Sequence, residues 1–227
     1  MGNTSIKTVV IGSPLAGTST LYSILDVLAG VGRDWEMLHG EAARPPYFDA
    51  ALQSLDGKSY LDANGRRITP DGTLGSVTAP QLVIIPDLHL DPTVALPEDF
   101  EALSKWIGGA HASGALVTSV CSGSLLLAAT GLLDHLDATT HWGYADMFRR
   151  HFPNVRLRRE RILVPAGDEH RLITAGGASA WADLLLYLIA RLAGADEARQ
   201  LAKVYLLEPH QDGQLCYASL TARRQHD

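Results

Sequence analysis

Cys121 is the residue whose type and setting could do chemistry most directly. It lies in the run V-C-S-G-S at 120–124, after an apolar run at 115–120 and before an apolar stretch at 125–133. This pattern predicts a strand, a tight turn and a helix, which is the arrangement of a nucleophile elbow. The N-terminus of that helix would point at the sulfur and favour the thiolate. The alternative is that Cys121 is a small apolar residue packed inside a tight turn.

A thiolate nucleophile needs a base or acid nearby, and His141 is the first candidate. It lies in the run T-T-H-W at 139–142, 20 residues after Cys121 and just beyond the next predicted strand. It could reach the sulfur if the two strands are neighbours. Equally, it could be a strand-end residue that packs against Trp142. His89, after the break at Pro86, is predicted to be a solvated loop histidine.

Other kinds of site leave no pattern in the sequence. The 9 histidines are scattered without the spacing of a zinc site, and no phosphate-binding or dinucleotide-binding glycine motif is present. The basic stretch at 156–161 is interrupted by Leu157 and Glu160, which favours a solvated face over a nucleic-acid contact. We therefore expect no metal and no cofactor.

Composition narrows the class of protein. The chain has 227 residues, 46% of them apolar, which suits one large α/β domain or a domain with a tail. Its 19 Lys and Arg against 25 Asp and Glu give a net charge of −6, which does not suit binding of DNA phosphates by this stretch alone. With two cysteines, no apolar run of about 18 residues and no signal-peptide pattern near Met1, we expect a cytoplasmic protein without a membrane span.

Short apolar runs alternate with helical stretches along the chain. Strands are predicted at 7–12, 35–39, 81–85, 115–120, 138–140, 155–157, 161–164 and 172–174. Hairpins are predicted between 53 and 75 from the dipeptides Asp56-Gly57, Asn64-Gly65 and Asp71-Gly72.

The helical stretches are predicted by their apolar spacing around 18–28, at 97–114, at 125–133, after Ser179 and at 196–206. From residue 208 onward the chain is polar and irregular. The alternation predicts an α/β fold of three layers, in which a mostly parallel, flavodoxin-like sheet lies between helices on both faces. The carboxyl ends of the strands would then carry Cys121.

Several segments of the chain resemble one known family. The runs C-S-G-S-L-L-L-A-A-T-G-L-L-D (121–134) and A-T-T-H-W (138–142) resemble the ThiJ/PfpI superfamily, a branch of the class I glutamine amidotransferase-like fold. More narrowly, the chain is similar to the N-terminal sensor domains of AraC-type transcriptional regulators. The stretch at 173–188 resembles that family's second glycine-rich turn and buried helix, and 207–214 resembles the segment that leads into a helix-turn-helix pair.

The resemblance places the family's elbow cysteine on Cys121 and its His-Trp pair on His141 and Trp142. Two positions depart from the catalytic relatives, which include isonitrile hydratases. Thr20 stands where those relatives have an acid, and Asp87-Leu88 stands where they have Gly-Gly after a buried strand. The first change removes an acid, and the second removes a flexible backbone from the place of an oxyanion-hole amide. Both changes make a working enzyme the less favoured expectation.

The resemblance implies a ligand-sensing, dimerising domain at 1–206 and a linker at 207–227 toward a helix-turn-helix domain beyond this chain. The implied partners are a small-molecule effector, a second copy of the chain, and operator DNA bound through the further domain. The ligand-binding residues that the resemblance implies are Thr20, Asp87, Leu88, Cys121, Ser122, His141 and Trp142.

Two other functions stay open from the sequence. The chain could be an enzyme, such as an isonitrile hydratase or an amidase, with Cys121 as nucleophile and His141 as its partner. It could also be a redox sensor, in which Cys121 is oxidised reversibly to a sulfenic acid.

Overall fold

A seven-stranded sheet forms the centre of the molecule. The structure is a computed structural model that describes residues 5–218. Across the sheet the strands are β10 (Leu163–Ala166), β11 (Leu172–Ala175), β7 (Leu116–Val120), β6 (Leu82–Ile85), β1 (Ile6–Ile11), β2 (Phe48–Ser54) and β5 (Gly72–Thr73). All neighbouring pairs are parallel except β10 and β11. The prediction of an α/β fold with a mostly parallel sheet is confirmed.

Helices flank this sheet on both sides. They are α1 (Thr18–Gly30), α2 (Asp34–Leu38), α3 (Phe100–Ala112), α4 (Gly123–Ala129), α5 (Ala145–His151), α6 (Trp181–Leu192), α7 (Ala195–Tyr205) and α8 (Leu215–Ala218). α1 packs against α6 and α6 against α7, while α3 packs against α4. No helix within residues 5–218 is long and apolar enough to cross a bilayer.

The core lies along the two middle strands. Every residue of β6 and of β7 is buried, as the centre of a parallel sheet must be when helices cover both faces. β1 lies between β6 and β2, so the order of the strands reverses beside it. The loops that follow β1, β6 and β7 therefore meet at one edge of the sheet, the usual place for a site in such folds.

The strand predicted at 35–39 is wrong, because this stretch is helix α2. Its apolar residues Met37 and Leu38 are exposed, whereas its acidic residues Asp34 and Glu36 are buried against other parts of the chain. The second strand is instead β2, which pairs in parallel with β1 from Ile6 opposite Phe48. Tertiary ion pairs decide the outcome at α2, and the local apolar pattern does not reveal them.

Only one of the three predicted hairpins forms. Asn64-Gly65 joins β3 (Tyr60–Leu61) to β4 (Arg67–Ile68) as an antiparallel pair. Gly57 forms a turn with a φ of 69°, and its N–H donates to the Ser54 hydroxyl. Gly72 opens β5, which pairs in parallel with β2. A further short parallel pair, β8 (Asp137–Ala138) and β9 (Arg156–Leu157), lies outside the main sheet.

The chain after α7 turns back onto the domain. Residues 207–214 have no regular helix or strand, and the short helix α8 follows them. We call residues 207–218 the C-terminal segment. Residues 219–227 of the predicted linker lie outside the described part of the chain, and the division of the chain at 206 stays a prediction.

Candidate functional site

Cys121 lies on a sharp turn between β7 and α4. Its φ is 56°, in the left-handed region that costs free energy for a residue with a side chain. Its N–H donates to the carbonyl of Ala175 at 2.9 Å, which fixes the turn to the end of β11. Its own carbonyl accepts from the hydroxyls of Ser124 at 2.8 Å and Thr140 at 3.2 Å. The predicted strand-turn-helix geometry is therefore present.

Gly123 allows this turn to pack closely against the loop after β6. A Cβ atom at Gly123 would lie 2.2 Å from the carbonyl oxygen of Pro86 and 3.0 Å from that of Ile85. Any larger side chain would have to push the elbow away from β6. The small residue in C-S-G-S is thus required by packing, whatever the chemistry of the cysteine.

The Cys121 thiol is buried and protonated at neutral pH. Its residue is 6% exposed, and burial raises the pKa of the thiol to about 12. Hydrogen bonding from Ser122 lowers the pKa and the charge of Asp87 raises it, but both effects are smaller than burial. The thiolate expected at the helix N-terminus is absent because desolvation of the sulfur dominates.

Ser122 and Leu88 close the loop after β6 over the elbow. The backbone N–H of Leu88 donates to the Ser122 hydroxyl oxygen at 2.8 Å, and that hydroxyl donates to the Leu88 carbonyl at 2.5 Å. Both residues are buried. The Leu88 N–H, in the loop where the family's oxyanion-hole amide is expected, is therefore already engaged.

Asp87 lies between the elbow and the start of α1. Its carbonyl accepts from the Gly17 N–H at 2.9 Å, and a Cβ atom at Gly17 would lie 2.3 Å from one of its carboxylate oxygens. The other carboxylate oxygen, Oδ1, is buried and has no hydrogen-bond partner among residues 5–218. Thr20, one helical turn further on, is 3% exposed and lies among the buried residues of α1.

His141 holds a short turn together and makes no hydrogen bond to the thiol within the described chain. Its Nδ1 accepts from the N–H of Gly143 at 3.0 Å, so it caps the 3₁₀ turn Trp142–Tyr144. The centre of its ring lies 5.0 Å from that of Trp142. Burial lowers the pKa of the imidazole, which keeps it neutral and able to accept this bond. The packing role considered for His141 is thus the one that the geometry supports.

A cavity of about 640 Å³ lies beside His141 and Trp142. Its other walls are Ile162, the segment 177–180, and three residues of the C-terminal segment, His210, Gln214 and Tyr217. Cys121 is not among the residues that line it. Of the implied ligand-binding residues, His141 and Trp142 lie at an open cavity. The other residues around the cysteine turn pack against one another away from this cavity, namely Asp87, Leu88, Cys121 and Ser122.

Gln214 is the residue of this site that the sequence reasoning missed. It is 2% exposed, and its amide donates to the carbonyl of Thr140 at 2.7 Å and accepts from the Trp142 N–H at 3.1 Å. A Cβ atom at Gly176 would lie 2.8 Å from this amide. Gly176 in the second glycine-rich turn, together with Asp212-Gly213 just before Gln214, is the signal that could have indicated this contact.

No cluster of three or more His, Cys, Asp and Glu within residues 5–218 could hold a metal ion. The cluster around Cys121 contains a buried thiol, the Asp87 carboxylate and a closed loop, and within residues 5–218 the sulfur makes no hydrogen bond to Asp87 or His141. The cavity beside Trp142 offers apolar and aromatic walls with few polar groups. The first arrangement is poorly suited to nucleophilic chemistry, and the second is suited to binding.

Comparison with known proteins supports this fold. The model of the DJ-1/PfpI family matches residues 47–191. The crystal structure of an AraC family transcriptional regulator from Pseudomonas putida superposes with a TM-score of 0.69 at 16% sequence identity, over 89% of this chain and 100% of that one. A likeness at this identity establishes the fold alone.

A transcriptional regulator and an enzyme are among the curated proteins that are similar in sequence. The HTH-type transcriptional regulator CdhR of Pseudomonas aeruginosa is 32% identical over 164 residues, which is 71% of this chain and 46% of CdhR. The isonitrile hydratase of Pseudomonas putida is 38% identical over 115 residues, which is 49% of this chain and 45% of that enzyme. The chain thus spans less than half the length of each of these relatives.

Proposed function

The chain belongs to the DJ-1/PfpI family, and from that premise we propose that it is the ligand-sensing, dimerising part of an AraC-type transcriptional regulator. The similarity to CdhR supports this proposal, since CdhR is a transcriptional regulator of the helix-turn-helix type. On this proposal the DNA is contacted by a domain outside this chain, in keeping with the net charge of −6 here, and the protein works in the cytoplasm.

The observation that carries the proposal is the closed elbow. Cys121 is 6% exposed, its thiol is protonated, and Ser122 holds the Leu88 N–H in a reciprocal pair of hydrogen bonds. A substrate would need the sulfur as a thiolate and a free backbone N–H beside it. The chain has the fold of the family, but its thiol is protonated and its Leu88 N–H is already hydrogen-bonded to Ser122.

The proposed mechanism is a shift in population between two arrangements of the dimer. An effector beside His141 and Trp142 binds one arrangement more tightly and so increases its population. Asp87, Leu88, Cys121 and Ser122 do not line this cavity and would touch the effector only if the Ser122–Leu88 pair opens. Thr20 belongs to the same proposal, as a residue that a ligand meets only when the start of α1 moves.

The alternative is a cysteine-dependent enzyme, and the 38% identity to an isonitrile hydratase over 115 residues favours it. In that case the loop after β6 must swing away during turnover, which would expose the thiol and free the Leu88 N–H. A redox sensor would need the same opening, since oxidants act on an accessible thiolate.

Assembly and binding test the regulator proposal directly. We expect light scattering to give the mass of a dimer at micromolar concentration. We also expect compounds from a metabolite panel to raise the melting temperature in proportion to the logarithm of their concentration. A chain that is monomeric at every concentration would contradict dimerisation. A chain whose melting temperature responds to no compound in the panel would contradict the sensing role.

A further inference from the structure

The cavity of about 640 Å³ has one wall that is not part of the sheet-and-helix body. His210, Gln214 and Tyr217, all from the C-terminal segment, close it on one side. We propose that this cavity binds an uncharged aromatic small molecule, and that the bound molecule holds the C-terminal segment against the domain. The inference rests on the proposed sensing role and names its site, its ligand class and its coupling element.

The chemistry of the walls sets the ligand class. Trp142 and Tyr217 offer aromatic faces, and Ile162 and Ala178 add apolar surface. No Lys, Arg, Asp or Glu is among the described residues that line the cavity. A charged ligand would lose its hydration there without gaining an oppositely charged side chain from the lining, whereas a neutral ring can stack on the aromatic faces.

A few polar groups in the cavity can orient such a ring. Ser179 and the Nε2 of His210 lie 3.4 Å apart at its edge. Because Nδ1 of His210 donates to the Asp183 carboxylate, its Nε2 accepts in the neutral ring. The Ser179 hydroxyl can donate or accept, so a neutral ring with a hydroxyl, amide or ring nitrogen is the best match. The volume suits a molecule of this kind, because small-molecule sites are typically a few hundred Å³.

The C-terminal segment is attached at two points, and both points also line the cavity. At the first, the side chain of Asp183, 8% exposed, accepts from the backbone N–H of His210 at 2.8 Å and bonds its ring Nδ1 at 2.7 Å. At the second, the Gln214 amide is buried against Thr140 and Trp142. A ligand that touches His210 and Gln214 therefore touches the residues that keep the segment docked.

Gly213 makes the second attachment possible. Its φ is 67°, and a Cβ atom there would lie 2.4 Å from the carbonyl oxygen of Glu160. The tight turn brings Gln214 directly over Gly176. On this proposal the segment docks with this whole turn in place, as a two-state element that a ligand can bias.

The docked state is the only one in which the cavity has all its walls. A ligand that needs those walls stabilises docking by an amount that grows with its concentration relative to its Kd. Any part of a protein that continues from this segment is then held differently with and without ligand. This gives the effector a direct path to whatever follows the domain.

Titration of the 227-residue chain with N-phenyl-1-naphthylamine, an uncharged fluorescent aromatic amine, tests the inference. We expect saturable binding with energy transfer from tryptophan. Ala178→Trp fills the cavity from an exposed position and should weaken binding at least tenfold, and Tyr217→Ala should weaken it several-fold. Ala63→Trp, which adds a tryptophan at an exposed position that does not line the cavity, should leave binding unchanged. Circular dichroism checks that each variant is folded.

Hydrogen exchange on the same samples tests the coupling. We expect the probe to slow exchange of the amides at 207–218 in the wild-type chain and not in Ala178→Trp. Binding that Ala178→Trp and Tyr217→Ala leave intact would overturn the site, and binding without added protection of 207–218 would overturn the coupling. Failure of either test would not affect the separate predictions that the chain dimerises and that it turns over no substrate. Conversely, a chain that binds the probe as expected but is monomeric or catalytic would contradict the regulator proposal and not the cavity.

Discussion

Cys121 shows that an elbow geometry alone does not make a nucleophile. The turn is tight, as the sequence predicts, and the small residue Gly123 packs closely against Pro86. The reactivity depends on what surrounds the sulfur, and here burial outweighs the short helix α4 behind it.

Alkylation measures this state of the thiol. Because the pKa of Cys121 is raised to about 12, we expect iodoacetamide at pH 8 to modify it on the order of a thousandfold more slowly than an ordinary exposed cysteine. Its rate should rise as pH rises toward that pKa, since only the thiolate reacts. Peptide mass spectrometry follows both cysteines at once, and the exposed Cys216 serves as the internal comparison. Equal rates for the two cysteines at pH 7 would refute the closed elbow.

Substitution of Gly123 tests the packing between the Cys121 turn and the loop after β6, with a second glycine as the matched control. Gly123→Ala should destabilise the fold by about 3 kcal/mol, because its Cβ would lie 2.2 Å from the Pro86 carbonyl oxygen. Gly108→Ala is the control, since Gly108 lies inside α3 with nothing within 4 Å of an added Cβ. That variant should stabilise by about 0.5–1 kcal/mol. Urea denaturation measures both, and effects of the same sign would contradict the packing described.

At the scale of single residues, the sequence reveals local geometry and hides long-range contacts. The elbow at 120–124 could be predicted because a strand, a small-residue turn and a helix are adjacent in the chain. Gln214 could not, because its partner Trp142 is 72 residues away. The pKa of Cys121 could not either, since it depends on desolvation by the whole fold.

At the scale of elements, Arg44 explains why α2 is a helix and not a strand. Its guanidinium bonds Glu36 of α2 and, at 2.5 Å, Glu197 of α7. The two glutamates are 4% and 7% exposed. A helix of 5 residues is not stable by itself, so this clamp and its neighbours hold α2 in place.

Removing the clamp should therefore be costly. Arg44→Ala leaves two buried carboxylates without their cation, and we expect a loss of about 3 kcal/mol in the free energy of unfolding. Arg149→Ala is the control, because Arg149 pairs with the fully exposed Asp146 at 3.1 Å and should change stability by less than about 0.5 kcal/mol. Guanidinium melts compare the two variants. A loss for Arg44→Ala no larger than that for Arg149→Ala would show that the clamp does not stabilise α2.

At the scale of the whole molecule, the sheet was predictable and its edges were not. β6 (LVII) is a continuous apolar run, and β1, β7 and β11 are mostly apolar with a few Lys, Thr or Ser residues, which suits a parallel sheet covered on both faces. β2 lies near the edge and its sequence FDAALQS mixes polar with small residues, so its partner on the sheet is not visible in the chain. The C-terminal segment likewise looks like a solvated linker until its docking onto 139–142 is seen.

The central proposal also concerns the whole molecule: this fold binds a small molecule and does not transform it. Hydration of an isonitrile adds water across its terminal carbon and yields an N-substituted formamide, which proton NMR detects directly. We predict that the chain produces formamide from a simple isonitrile no faster than buffer does, and that Cys121→Ser gives the same trace. Formamide that accumulates with the wild-type chain and is lost in Cys121→Ser would contradict the claim.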